Sequence, residues 1–153
     1  MPEIRIEFHP AFAQQYESLA ELAATSDQAL EWFSDVQSLL NALETHGHGV
    51  ESENHVRSAI SHPIVTSRYQ TFALRRTPPT AATPTAIGLP ILRVPYVWFN
   101  DETLRQPLAV VMLIGDKSKL GNDWYPQVVQ RIDNSMIPDW ERTHPTHHVR
   151  PRR

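Results

Sequence analysis

The sequence predicts an α+β domain: an N-terminal strand and a helical hairpin packed on a small, mainly antiparallel sheet, with a C-terminal helix. Three observations predict this class. Apolar residues alternate with charged ones at the N-terminus, they then recur three and four residues apart, and β-branched or aromatic runs follow in the second half. The 153 residues fit one domain, because a chain of about 100 to 150 residues can bury enough apolar surface to fold alone.

The first third of the chain predicts a strand followed by two helices. Residues 3–8 (EIRIEF) have the two-residue period of a strand with one exposed face. Pro10 opens an amphipathic helix that runs to about Ala24. Ser26 is a good N-cap for a second helix, whose apolar spacing continues until Gly47.

The middle of the chain predicts a connection, a strand and a loop. Residues 47–65 are polar and predict a connecting segment, which includes one helical turn around 55–60 as an alternative. Aromatic and β-branched residues favour a strand over 66–76. The four prolines of 77–90 predict an exposed, mobile loop, because proline cannot donate to a strand ladder.

The apolar runs 91–99 and 108–114 predict a hairpin of two further strands. Pro95 should then lie at a bulge or a sheet edge, because it has no amide N–H. A last helix, capped by Asn122, should end at Pro138. If every helix packs on one face of the sheet, the other face stays partly open.

These boundaries predict a single domain over 1–138 and a flexible, basic, His- and Arg-rich tail over 139–153. No apolar run reaches the ~20 residues of a membrane span, and the N-terminus does not have the pattern of a signal peptide. The chain has no cysteine, which suits a reducing compartment. We therefore expect a cytoplasmic protein without a membrane partner.

Charge is divided unevenly along the chain. Residues 1–62 contain ten Asp/Glu and two Lys/Arg, a net charge of −8, whereas residues 63–153 contain seven and twelve, a net charge of +5. This asymmetry indicates either a face that meets a polyanion or an accident of surface composition.

Four strings resemble the RelE/ParE superfamily of bacterial toxins. IRIEFHPAF is similar to its opening strand and the start of its helical hairpin, and SRYQTFALR and ILRVPYVWF resemble two of its later strands. VVMLIGDKSKLGNDWYPQVVQRID resembles the ending of the HigB-like branch. The resemblance covers roughly residues 3–136. The pI near 6.2, the insertion at 77–90 and the added tail depart from the family, whose nucleases are shorter and strongly basic.

The resemblance implies the toxin of a type II toxin–antitoxin pair, a metal-independent, ribosome-dependent mRNA endonuclease that inhibits translation and arrests growth. It implies RNA and the ribosome as partners, together with a cognate antitoxin that covers the working surface, a helix-turn-helix protein encoded nearby. Two alternatives remain open. In the ParE branch the toxin inhibits DNA gyrase, and a non-catalytic relic of the family would only bind a partner.

Cleaving RNA without a metal requires fixed cations and a titratable group. Arg75 and Arg93, on strands expected to be neighbours, are the candidate phosphate clamp, because guanidinium groups bind phosphate oxygens bidentately. Lys117, in the loop after the last central strand, adds a cation. The candidates for the acid or base are Tyr125, Asp116 and a lysine whose pKa is lowered by burial. The competing interpretation is that these arginines pair with the acidic helices or extend to solvent.

Weaker candidates for RNA contact are Arg68, Arg76 and Lys119. Alternation along a strand prevents Arg75 and Arg76 from serving one site unless a bulge intervenes. Trp124 either stacks on a base or anchors the last helix to the sheet.

The eight histidines include HPTHH near the C-terminus, but no group of them has a carboxylate at a convincing ligand spacing. The chain also contains no Gly-rich phosphate loop, GxSxG or HExxH string. We therefore expect neither a metal nor a cofactor.

Overall fold

A computed structural model describes residues 4–46, 61–75, 92–116 and 124–152. Within these ranges the protein is α+β, with helices on a mixed sheet. The predicted loop at 77–90 and the helical turn at 55–60 lie outside the described residues. Among the helices that are described, none has the length and apolar character needed to cross a membrane.

The helical elements are α1 (Pro10–Ala23), α2 (Asp27–His46), α3 (Trp124–Arg131), a π-helical segment (Ile132–Met136) and α4 (Ile137–Thr143). The strands are β1 (Arg5–Phe8), β2 (Ser61–Pro63), β3 (Thr71–Leu74), β4 (Leu92–Asp101), β5 (Leu104–Val111), β6 (Gly115–Asp116) and β7 (His147–Val149). The sheet runs β1-β5-β4-β3-β2, and β6 and β7 each pair with β4. β1 is parallel to β5, and the other pairs are antiparallel.

The predicted strand and helical hairpin at the N-terminus are confirmed. The ring of His9 accepts a hydrogen bond from the amide of Ala11 at 3.0 Å, so His9 caps α1 ahead of Pro10. Ser26 caps α2 by accepting from the amide of Ala29 at 3.2 Å. The apolar side of the hairpin packs on one sheet face, with a buried core of Phe12, Leu19, Val36, Leu39, Leu43, Val94, Tyr96 and Trp98.

The opposite sheet face is covered as well, which corrects the expectation that it stays partly open. A second buried core joins the other side of β4 and β5 to the C-terminal helices and includes Val97, Phe99, Val110, Met112, Ile132, Met136, Ile137 and Trp140. Pro138 does not end the helical region, because it occupies the first turn of α4, where a missing N–H leaves no hydrogen bond unmade.

The segment 139–153, predicted to be a flexible tail, is folded wherever it is described. After α4 the chain turns, and β7 pairs with β4 along residues 99–101. Beyond β7, the amide of Arg150 donates to the Trp98 carbonyl at 3.0 Å, and the amide of Arg152 donates to the Arg68 carbonyl at 3.0 Å. A segment rich in His and Arg gives little local sign of this packing, because Trp140 is the one large apolar side chain that anchors it.

A chain of polar contacts holds this C-terminal segment to β1 and β4. The indole N–H of Trp140 donates to Nδ1 of buried His147 at 3.0 Å. An indole can only donate, so the proton of neutral His147 lies on Nε2, which is 3.4 Å from Asp101 Oδ2. Arg5 completes the chain with a 2.7 Å bond to the same carboxylate oxygen. The Arg5 guanidinium, together with the amide and hydroxyl of Thr103, lowers the pKa of Asp101.

Pro95 lies at a β-bulge, as predicted. β4 pairs Tyr96 with Val111 of β5 but Arg93 with Gly115 of β6. Two residues of β4, at positions 94 and 95, therefore lie opposite three residues, 112–114, of the segment that connects β5 to β6. The extra residue accommodates a proline within a central strand, where it would otherwise interrupt the ladder.

The π-helical segment places Asp133 beneath the turn between β2 and β3. Asp133 is 4% exposed and accepts hydrogen bonds from the Ser67 hydroxyl at 2.7 Å and the Arg68 amide at 2.8 Å. The extra residue of a π-turn changes the direction of the side chains that follow it. The segment thereby joins the C-terminal helices to the sheet through a buried carboxylate.

Buried His147 makes the fold sensitive to acid, and burial lowers the pKa of His9 in the same way. Burial lowers the pKa of His147 in the folded protein below its ordinary 6.5, against raising contributions from Asp101 and Glu7. The unfolded chain therefore binds the proton at a higher pH, so this stability is complete above about pH 6.5 and is lost as the pH falls through the folded value. Urea unfolding between about pH 5 and 7.5 should show stability falling with acid, and His147→Gln should flatten that dependence. An unchanged slope in the variant would contradict the assignment.

Removing the buried carboxylate should destabilise the protein. Asp133→Ala leaves the Ser67 hydroxyl and the Arg68 amide without their acceptor, a loss of about 2 to 4 kcal/mol in the free energy of unfolding. Glu31→Ala, at an exposed position of α2, is the matched control and should change the value by less than about 0.5 kcal/mol. Equal values for the two variants in urea unfolding would show that the buried contacts are not stabilising.

Candidate functional site

Polar side chains from three strands share the sheet face that lies opposite the helical hairpin. In the ladder His62 faces Ala73, and Ala73 faces Pro95. Side chains directly opposite each other lie on one face, and alternation returns to that face two residues on. His62, Arg75 and Arg93 therefore lie on the same face, and the acidic residues of α1 and α2 lie across the sheet from them.

Tyr125, from α3, connects two of these side chains. Its hydroxyl oxygen is 2.8 Å from Nε2 of His62, and Arg93 Nε donates to it at 3.3 Å. The tyrosine and histidine rings meet edge to face, with centroids 5.8 Å apart. All three side chains are partly accessible. Because arginine can only donate, the oxygen accepts from Arg93, and its contact with His62 has the hydroxyl or the imidazole as donor, according to the tautomer of His62.

This arrangement can store and pass on a proton. When the proton lies on Tyr125, the hydroxyl donates to His62 Nε2; when it lies on His62, the imidazole donates to the phenolate oxygen. A histidine, a tyrosine and an arginine in contact are therefore equipped for acid–base chemistry near an anion.

Trp124 holds Tyr125 in place. Trp124 is 4% exposed, and its ring meets that of Tyr125 edge to face at 4.9 Å. Gly115 of β6 lies directly beneath it, and a Cβ atom at that position would lie 2.1 Å from the indole Cζ2. Of the two interpretations of Trp124, the hydrophobic anchor therefore describes the structure. The predicted stacking on an RNA base is wrong for this residue, because its ring is buried.

The other predicted site residues have different outcomes. Arg75 directly follows β3, and continuing the ladder by one position from the Leu74–Val94 pair places it beside Arg93. Arg68 is not brought into contact with this group. Its guanidinium donates to the Asn134 side chain at 2.8 Å and lies over the Tyr69 ring. Arg76, Lys117 and Lys119 lie outside the described residues.

His62 and its strand were not predicted. β2 has only three residues, one of them proline, which is too short for an alternating pattern to be recognised. The clue lies in the fold, because the Ser61 hydroxyl is within 3.0 Å of the buried Tyr96 hydroxyl. That contact ties the segment to β4 and directs His62, the next residue, to the other face.

A methyl group at Gly115 should displace the tryptophan that supports Tyr125. Gly115→Ala should lower the free energy of unfolding by about 1 to 3 kcal/mol, because the added atom overlaps the indole. The smaller ring of Trp124→Phe should relieve part of this cost in the double variant. A double-mutant cycle in urea measures the coupling, and additive effects would mean that Gly115 and Trp124 do not interact.

Within the described parts of the chain, no three His, Cys, Asp or Glu side chains are grouped so that they could hold a metal ion. Comparison of the sequence with models of protein families and with curated proteins, and of the structure with solved structures, finds no match. The contacts of the site are therefore the basis for inferring what it does.

Proposed function

We propose that the protein is the toxin of a type II toxin–antitoxin pair and cleaves messenger RNA, on the ribosome, without a metal ion. The observation that carries this proposal is the contact of His62 and Arg93 with the hydroxyl of Tyr125. The three groups lie on the face opposite the acidic hairpin, where a polyanion is repelled least.

RNA cleavage at such a site begins at the 2′-hydroxyl. Tyr125 passes its proton to His62 Nε2 while its oxygen takes the proton of the 2′-hydroxyl. The 2′-oxygen attacks the adjacent phosphorus, and the bond from phosphorus to the 5′-oxygen breaks. The departing 5′-oxygen takes a proton from Tyr125, which recovers one from His62. The products are a 2′,3′-cyclic phosphate and a 5′-hydroxyl, and the enzyme ends in its starting protonation state.

Arg93 and Arg75 act on the phosphate in this scheme. Negative charge builds up on the non-bridging oxygens as the 2′-oxygen attacks, and a guanidinium fixed beside them stabilises that charge most in the transition state. Arg93 is already held by bonds to the Tyr125 hydroxyl and to the Leu92 carbonyl, the latter at 2.8 Å. Such pre-positioning lowers the cost of ordering the side chain during the reaction.

The resemblance to RelE/ParE toxins supports the same proposal. The strings that carry it are those that supply Arg75, Arg93 and Tyr125 to the site. The order of strand, helical hairpin, antiparallel strands and C-terminal helix is the order that the resemblance implies. The proposed partner is an antitoxin, a helix-turn-helix protein, that covers this face and places acidic groups against the arginines.

Induction in a bacterium that lacks the antitoxin tests the proposal. The wild-type chain should stop growth, and mapping of transcripts should show new 5′ ends. Tyr125→Phe and His62→Ala should each slow cleavage about 100-fold or more, because each removes a group needed for proton transfer. Arg105→Gln, at an exposed position of β5, should behave like the wild type, and circular dichroism should confirm that all variants fold.

Two outcomes would overturn the proposal. If growth stops while transcripts stay intact and DNA supercoiling is inhibited, the protein acts on gyrase. If growth is unaffected at matched expression, the chain only binds a partner.

A further inference from the structure

A pocket of about 330 Å³ lies beside the turn that joins β2 to β3. Pro63, Val65, Tyr69 and Phe72 give it apolar and aromatic walls, and Arg152 lies at its side. Its volume is close to the lower limit of ligand pockets, about 300 Å³. The pocket therefore suits one small, flat group.

The backbone of the C-terminal segment fixes Arg152 next to this pocket. The Arg152 amide donates to the Arg68 carbonyl at 3.0 Å, and the Gln70 side chain donates to the Pro151 carbonyl at 3.2 Å. The Arg152 side chain is exposed. No carboxylate is found among the described residues that line the pocket, so its electrostatic preference is for an anion.

The pocket is adjacent to the proposed catalytic group. Pro63 directly follows His62 in β2, the outermost strand on this side of the described sheet. Successive residues of a strand point to opposite faces and lie about 3.3 Å apart along it. Pro63 and its ladder partner Phe72 therefore lie on the hairpin side of β2, and His62 lies on the other side. An RNA strand that crosses the edge of the described sheet at β2 can place one nucleotide at His62 and its neighbour at Pro63.

Aromatic walls combined with a cation are the chemistry that recognises a nucleotide. A base stacks on aromatic rings whatever its sequence, and an arginine binds the phosphate attached to it. The Arg68 guanidinium, 5.5 Å from the centroid of the Tyr69 ring, adds a cation next to this aromatic wall. An aliphatic side chain of a protein partner would fill the apolar part but would make no use of Arg152.

We infer that this pocket binds a nucleotide of the RNA substrate next to the cleaved bond, with its base against Tyr69 and Phe72 and its phosphate on Arg152. The inference rests on the proposed function for the identity of the polymer. It makes the pocket the part of the surface that selects where the RNA is cut.

Binding of adenosine 5′-monophosphate to the full-length protein tests the pocket directly, by calorimetry or by NMR shifts of the lining residues. Val65→Glu adds a negative charge to the wall at a residue that is 60% exposed, so the fold should be preserved. We expect Val65→Glu and Arg152→Gln each to weaken binding about tenfold or more, because each opposes or removes a charge-assisted contact. Leu104→Glu and Arg105→Gln, exposed changes of the same kinds on β5, should bind like the wild type.

Ribose 5-phosphate separates base recognition from attraction of an anion. It should bind at least tenfold more weakly than the nucleotide. Equal binding of the two would overturn the inference, as would nucleotide binding that Val65→Glu leaves unchanged. If a peptide shifts the NMR signals of the lining residues and the nucleotide does not, the pocket binds a protein partner and the inference is overturned.

Cleavage assays distinguish failure of the pocket from failure of the proposed function. His62→Ala should lower kcat and leave nucleotide binding intact, whereas Val65→Glu should raise KM or move the cut sites and leave kcat intact. If nucleotide binding depends on Val65 and Arg152 but the protein never cuts RNA, the proposed nuclease function is wrong and the nucleotide pocket stands. If Val65→Glu cleaves RNA with unaltered KM and cut sites, the nucleotide pocket is wrong and the proposed nuclease function stands.

Discussion

The structure depends on one strand, β4, whose alternate residues must satisfy two different cores. Val94, Tyr96 and Trp98 are buried against the helical hairpin, whereas Val97 and Phe99 are buried against the C-terminal helices. β4 also pairs with four other strands along its length. A shift of one residue in its register would exchange the two faces and disrupt both cores. Arg93 occupies the same face as Val97, near the start of the strand, where it is partly exposed and contacts Tyr125 of α3.

Local sequence patterns are sufficient to predict the elements that bury the hairpin-side face of the sheet. The alternation of 3–8 and the helical spacing up to Gly47 predicted β1, α1 and α2, and the missing amide of Pro95 predicted a bulge. The sequence does not predict the cover on the second face, because a proline both ends helices and occupies their first turn, and Pro138 occupies a first turn. The β4 and β5 side chains of the core that Trp140 joins are likewise distant from it in sequence, and no local pattern reveals them.

The candidate site was predictable in part for the same reason. The sequence predicts Arg93 as a cation and Tyr125 as a candidate acid or base on separate elements, and the fold brings the two side chains into contact. His62 joins them through a pairing of three residues with β3, which leaves almost no trace in the sequence. Trp124 could be recognised as important but not assigned, because aromatic side chains serve equally well as core and as stacking surface.

The parallel pairing of β1 with β5 has a consequence for how the protein forms. Arg5 lies opposite Leu108, so during synthesis β1 stays without its neighbour until about a hundred residues have followed it. The helical hairpin, whose own contacts are local, can form early, yet its apolar side has no sheet to cover until β4 and β5 emerge. Long-range pairing of this kind slows folding and prolongs the exposure of apolar surface. During synthesis, the apolar side of the hairpin is therefore accessible to a chaperone until β4 and β5 are made and cover it.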